Sequence, residues 1–197
     1  MRIPVTPFLL LLLGLAVFGC VAFRHESSQD SAARETKLRQ LLATGNKLLK
    51  QGSWQSLDQA QAAYSLAREL APQDARAVDG LGCVAWRKGN IDLAEFYFRR
   101  ACELSADYDR PIAHLALVAE ARGHLNAAKE LLQRAVKLNP LNFRARNNLA
   151  ALALKGAGDA DSLGEAHREL LRAYELAGPE DPIVAGNLDL LSRRKGW

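Results

Sequence analysis

The sequence predicts an all-α fold, a solenoid of about four helix hairpins followed by a capping helix, and three observations predict it. The first is an internal repeat, in which small and large apolar residues recur at spacings of 34, 34 and 38 residues. Second, the apolar residues within each repeat follow steps of three and four, which place them on one face of a helix. Third, a glycine followed by a polar residue stands midway through each repeat, where the chain must reverse.

The second helix of each repeat carries the clearest pattern. An alanine is followed four residues later by a large apolar residue, then after three residues by a second alanine, and after three more by leucine. Small residues at these points let a neighbouring helix approach closely. The four sets are Ala60, Tyr64, Ala67 and Leu70; Ala94, Phe98, Ala101 and Leu104; Ala128, Leu132, Ala135 and Leu138; and Ala166, Leu170, Ala173 and Leu176.

The first helix of each repeat has a matching apolar stripe with a small residue near its middle. These small residues are Gly45, Gly82, Ala116 and Ala150. Helix-breaking pairs then separate the two helices, and each repeat is therefore predicted to be a helix hairpin. The pairs are Gly52-Ser53, Gly89-Asn90, Gly123-His124 and Gly158-Asp159.

The length of the unit, the small residue in each first helix and the alanine pattern in each second helix resemble those of tetratricopeptide-repeat (TPR) proteins. The resemblance covers residues 38–180 and implies a right-handed α-solenoid. Residues 181–197, with an apolar stripe of Val184, Leu188 and Leu191, resemble the capping helix and tail that such arrays need. The predicted repeats are residues 38–74, 75–108, 109–142 and 143–180.

In TPR proteins the first helices line a concave groove that holds a protein or peptide, so the resemblance implies such a groove here. Arginine begins the groove face of every repeat, and large apolar residues lie further along it. We interpret this face as one that packs an apolar group of the partner against Trp86 and pairs the partner's acidic groups with arginine. The alternative is that the arginines are solvated or paired within the domain. The predicted groove residues are Arg39, Asn46, Leu49, Arg76, Asp79, Trp86, Arg110, Leu117, Arg144, Asn147 and Leu154.

One specialised TPR groove, the carboxylate clamp that holds acidic C-terminal tails of chaperones, is not expected. By resemblance, the clamp needs Lys, Asn and Arg at five positions, of which only Asn46 and Arg110 match. Leu42, Gly80 and His114 stand where the clamp needs polar or basic groups. We therefore expect a partner other than a chaperone tail.

The charge and the titratable residues of the sequence argue against nucleic-acid binding and against catalysis. The formal net charge is only +4 at pH 7, and acidic residues are spread along the chain. The three cysteines have no C-x-x-C spacing, and the four histidines are scattered without a metal-binding pattern. No Ser/His/Asp set or phosphate loop is found. We expect no enzyme activity, metal or cofactor, and a nucleic-acid-binding repeat stays a distant alternative.

The N-terminal segment, residues 1–23, is almost wholly apolar and is predicted to meet the membrane. It has the length of a spanning helix or of a cleaved signal, and both alternatives stay open. The stretch Ala16–Cys20 resembles a bacterial lipoprotein processing box, which makes Cys20 a lipidation candidate. Residues 24–37 are predicted to form a polar tether, of which residues 24–31 are predicted to be structureless.

These observations together predict a membrane-tethered scaffold or adaptor that binds a protein or peptide in its groove. A bacterial envelope assembly such as a pilus or secretion system is the expected setting, with the domain exported. Two unpaired thiols in the folded domain are more typical of a reducing compartment. A cytoplasm-facing adaptor that brings a soluble enzyme or protease to the membrane therefore remains the alternative.

Overall fold

The computed structural model describes residues 28–156 and 160–195, which form nine α-helices and contain no β-strand. The predicted all-α solenoid of helix hairpins is confirmed. In chain order the helices are α1 (Ser28–Gln51), α2 (Trp54–Leu70), α3 (Ala75–Arg87), α4 (Ile91–Leu104), α5 (Asp109–Ala121), α6 (Leu125–Leu138), α7 (Phe143–Gly156), α8 (Ala160–Ala177) and α9 (Pro182–Lys195).

The described residues from Leu38 onward belong to one compact unit, in which the hairpins pack on one another. Helices α3 and α4, α5 and α6, and α7 and α8 pair as hairpins, and each hairpin also contacts the next. We call α1, α3, α5 and α7 the first helices and α2, α4, α6 and α8 the second helices. Helix α3 also contacts α5, the first helix of the next hairpin, and α7 contacts α9.

The alanine pattern of the second helices forms the centre of the packing. The first alanine of each set is fully buried, and the large residue that follows it is at most 2% exposed. Large residues of the second helices thus fill the space beside small residues of the first helices. A Cβ atom added to Gly45 or Gly80 would lie 2.7 or 2.3 Å from the ring of Tyr64, so only glycine leaves room for this ring.

Three turns between paired helices use glycine in the left-handed region, and in the first of them Gly52, after α1, has a φ of +73°. Gly89, after α3, and Gly123, after α5, each have a φ of +79°. Residues with a Cβ atom are disfavoured in this region, and glycine at these points ends the first helix and reverses the chain. The predicted turn at Gly158-Asp159 lies outside the described residues.

Helix α9 covers the end of the array. Asp181 caps its first turn, because the backbone N–H groups of Ile183 and Val184 both donate to Asp181 Oδ1 at 3.1 Å. Val184 and Leu191 are buried, at 1% and 2% exposure. The apolar stripe predicted for this segment therefore faces the last hairpin.

The prediction of a structureless stretch over residues 24–31 was wrong for residues 28–31, because residues 28–37 of the predicted tether are the beginning of α1. Residues 28–37 are polar, but alanine, arginine, glutamate and lysine are also strong helix formers. Asp30 lies in the first turn, where a negative charge stabilises the positive end of the helix dipole. Polarity was thus a poor guide to disorder here.

The predicted membrane segment, residues 1–23, lies outside the described residues, as do residues 24–27 of the predicted tether. Within the described part of the chain, no helix combines the length and the apolar character that crossing a bilayer requires.

Candidate partner-binding groove

A cavity of about 240 Å³ opens between the first helices α1, α3 and α5. Both charged and apolar side chains line it, which suits a surface that recognises another molecule. Its lining includes the predicted groove residues Arg39, Asn46, Leu49, Arg76, Asp79 and Arg110, together with Leu42, Ala43, Tyr64, Gly80 and Cys83. The structure therefore brings these predicted residues of the first three repeats together.

The other predicted groove residues do not line this cavity. Trp86 and Leu117 are partly buried, and Trp86 packs against the apolar cluster that contains Phe98. Arg144 is exposed, and its guanidinium lies 4.9 Å from the centre of the Phe143 ring. The predicted apolar anchor at Trp86 is thus partly used in packing.

Two predicted groove residues of the fourth repeat, Asn147 and Leu154, are buried at 6% and 5% exposure. Asn147 Oδ1 accepts a hydrogen bond of 2.8 Å from Asn187 of α9, and Leu154 shares an apolar cluster with Leu191 of α9. Their prediction as exposed groove residues was wrong, because the capping helix packs on this part of α7.

Asp79 lines the cavity but is itself only 1% exposed. His114 Nδ1 donates to Asp79 Oδ1 at 2.7 Å, the Tyr108 hydroxyl donates to Oδ2 at 3.4 Å, and an Arg110 guanidinium nitrogen lies 3.9 Å from Oδ2. A buried carboxylate is tolerated only with such partners. Asp79 therefore connects α3 to His114 and Arg110 of α5 and to Tyr108, which precedes α5.

The Asp79 carboxylate sets the charge of its neighbours. Burial is the largest single influence on the pKa of His114 and lowers it, but Asp79, Cys83 and their hydrogen bonds to the imidazole together raise it more, so that the pKa reaches about 10. The imidazole is consequently protonated at neutral pH. Burial, and then the same carboxylate, raise the pKa of Tyr108, which keeps its hydroxyl neutral and able to donate.

Cys83 lies beside His114 and forms a cluster with Asp79 and His114. The sequence analysis did not predict this cluster. The Sγ atom of Cys83 lies 3.7 Å from Nδ1 and 3.8 Å from Nε2 of His114. Two signals could have revealed the cluster. Asp79 and Cys83 are four residues apart on one helix and so share a face, and His114 follows Gly80 by one repeat of 34 residues. The position that is glycine in the second repeat is thus histidine in the third.

Two of the three arginines at the cavity, Arg76 and Arg110, lie against carboxylates of the domain. Arg76 forms two hydrogen bonds through Nε and one through a terminal nitrogen to Asp74, and its side chain is still 48% exposed. Arg110 is 49% exposed on the side chain while lying near Asp79. Arg76 and Arg110 are therefore each paired within the domain, and each is also exposed at the cavity.

The comparison with protein families places known repeats on these hairpins. Residues 75–108 and 111–140 match the model of the tetratricopeptide repeat. These ranges coincide with the α3–α4 and α5–α6 hairpins, so the chain contains TPR repeats. A comparison with curated proteins finds no match.

Several solved structures have a fold similar to that of this chain. The chain is similar to PilF of Pseudomonas aeruginosa, with a TM-score of 0.66 and 20% identity over 83% of this chain and 71% of PilF. It is also similar to a mutant O-GlcNAc transferase of Thermobaculum terrenum, with a TM-score of 0.59 and 22% identity over 72% of this chain and 26% of the transferase. These two likenesses establish the fold.

A third similar structure is the first TPR domain of Spaghetti (RPAP3), solved with the HSP90 peptide SRMEEVD. The TM-score is 0.52 and the identity 25%, over 62% of this chain and 95% of that domain. The fold is therefore consistent with a protein-binding scaffold.

Proposed function

We propose that this protein is a membrane-tethered TPR scaffold that binds a partner protein or peptide in the cavity between α1, α3 and α5. One observation carries the proposal, namely that three successive first helices contribute arginine, amide and apolar side chains to a single cavity of about 240 Å³. Binding, and not catalysis, is the proposed activity. The RPAP3 domain, which is solved with a peptide, supports this use of the fold.

The cavity lining favours a partner segment with both an acidic and an apolar group. Arg39, Arg76 and Arg110 supply positive charge that an acidic group would meet, and Leu42 and Leu49 supply an apolar wall. The buried Asp79 carboxylate lies beneath the arginines and makes the cavity unsuitable for a run of phosphates. We therefore prefer a protein partner to nucleic acid.

Reversing the charge of Arg39 is expected to weaken capture of the partner at least about tenfold, which corresponds to about 1.4 kcal/mol. The measurement uses the tagged full-length Arg39→Glu chain in membranes of the cells that express it, with quantitative mass spectrometry of co-purified proteins. Lys47→Glu is the matched control, because Lys47 is an exposed cation on the same helix that does not line the cavity. Equal loss of every co-purified protein in both variants would contradict the proposal.

We further propose that the domain is exported and held at the membrane by lipid on Cys20, within an envelope assembly such as a pilus or secretion system. The partial resemblance of Ala16–Cys20 to a lipoprotein processing box supports this location. Labelling with a fatty-acid analogue is expected in the wild-type chain and is lost in Cys20→Ser. Labelling that is absent in both chains would instead favour an uncleaved segment and the cytoplasm-facing adaptor.

A further inference from the structure

Asp79, Cys83 and His114 form a partly buried cluster whose side chains are all types that can bind a metal ion. The proposed partner binding does not require this combination of side chains. The ligand atoms of the three side chains all lie within 4.8 Å of one another. We propose that they bind a divalent metal ion of the zinc class, and that this ion links α3 to α5 at the floor of the cavity.

The types of donor favour this class of metal. A thiolate, an imidazole nitrogen and a carboxylate oxygen are the three ligand types that zinc uses in proteins. Calcium and magnesium prefer oxygen ligands, which only Asp79 offers here. The thiolate and the carboxylate would also supply two negative charges, which match the two positive charges of the ion.

The distances between donors are close to those of a tetrahedral site. Zinc bonds of usual length place an imidazole nitrogen and a thiolate sulfur about 3.6 Å apart. Cys83 Sγ lies 3.7 and 3.8 Å from the two ring nitrogens of His114. A nitrogen and an oxygen ligand would lie about 3.3 Å apart, whereas His114 Nδ1 and Asp79 Oδ1 are 2.7 Å apart in their hydrogen bond. Metal binding therefore requires that the imidazole release its Nδ1 proton and that this separation widen by about half an ångström.

The surroundings of the cluster hold its ligands in position. Asp79 and Cys83 are one helical turn apart on α3, and His114 lies on the neighbouring first helix, α5. The Tyr108 hydroxyl donates to Asp79 Oδ2, which leaves Oδ1 facing His114. The Phe98 ring lies 4.8 Å from the imidazole between ring centres and restricts its rotation. Contacts of this outer kind orient metal ligands in known sites.

The cavity supplies what a three-ligand site still needs. Asp79 and Cys83 both line it, so an ion can enter from solvent. A fourth ligand can come from water, as in zinc sites with three protein ligands and one open position. The bound ion would then lie on the wall of the partner-binding cavity.

Titration of the full-length chain in detergent with Co²⁺ tests the proposal, since a cobalt–thiolate bond gives a charge-transfer absorption band in the near ultraviolet. One equivalent of Co²⁺ is expected to produce this band, and Zn²⁺ is expected to abolish it. Cys83→Ser should remove the band. Cys102→Ser is the matched control and should retain it, because Cys102 is a partly buried thiol outside the cluster.

A second variant separates loss of a ligand from loss of folding. His114→Asn should bind Co²⁺ more than tenfold more weakly, while its helical circular dichroism signal stays that of the wild type. The proposal is overturned if the wild-type chain shows no band, or if Cys83→Ser keeps the full band. Since the titration uses no partner protein, either outcome leaves the proposed scaffold function untouched.

Discussion

Replacing Asp79 with alanine is expected to lower the free energy of unfolding by about 3–5 kcal/mol, as removal of one member of a buried ion pair does. The carboxylate is 1% exposed and accepts hydrogen bonds from His114 and Tyr108. Without it, a protonated imidazole and a buried hydroxyl lose their acceptor, and the contact between α3 and α5 weakens. Urea-induced unfolding of the full-length chain in detergent, with a metal chelator present, measures the change.

Asp92→Ala is the matched control for this measurement. Asp92 also forms an ion pair, with Arg122 at 2.6 Å, but its side chain is 92% exposed. An exposed ion pair contributes little, so the control should change the free energy of unfolding by no more than about 1 kcal/mol. A loss for Asp79→Ala no larger than that for Asp92→Ala would show that the buried cluster does not hold the two helices together.

Replacing Tyr64 with alanine is expected to lower the free energy of unfolding by about 3–5 kcal/mol, because it leaves a cavity where an aromatic ring fills the core. The ring is 1% exposed and fills the space that Gly45 and Gly80 leave open on the two neighbouring first helices. It therefore joins α1, α2 and α3, which also surround the partner-binding cavity. Thermal unfolding followed by circular dichroism measures the loss.

Tyr64→Phe separates the ring from the hydroxyl. The hydroxyl donates to Asn46 Oδ1 at 2.9 Å, and a single hydrogen bond of this kind contributes about 1 kcal/mol. We expect the phenylalanine variant to lose about that amount and the alanine variant several times more. If both variants lost the same, the close fit of the ring between the two glycines would not be what stabilises this part of the array.

The hairpins could be predicted from the sequence because their signals are local and repeated. An alanine pattern such as Ala94, Phe98 and Ala101 defines one face of one helix, and turn glycines such as Gly89 mark where that helix begins. The beginning of α1 could not be predicted in the same way. Residues 28–37 are helical but lack an apolar stripe. The prediction gave more weight to their polarity than to their helix propensity.

The candidate site could be predicted only in part. Helical periodicity correctly places Arg39, Asn46 and Arg76 on the face that lines the cavity, since each belongs to a single first helix. The burial of Asn147 depends on how α9 packs against α7, which no local pattern specifies. The contact between Asp79 and His114 likewise depends on the distance between α3 and α5. Residue spacing along the chain does not specify that distance.

The central claim is that the cavity between the first helices holds the partner. Site-specific photo-cross-linking tests this claim most directly. A photoreactive residue replaces Ala43, which is exposed on α1 and lines the cavity, in the full-length chain in native membranes. The matched position is Ala62, an exposed alanine on α2 that lies outside the cavity. The account predicts a discrete cross-linked partner at position 43 that is absent at position 62. The same partner captured equally at both positions, or at position 62 alone, would contradict it.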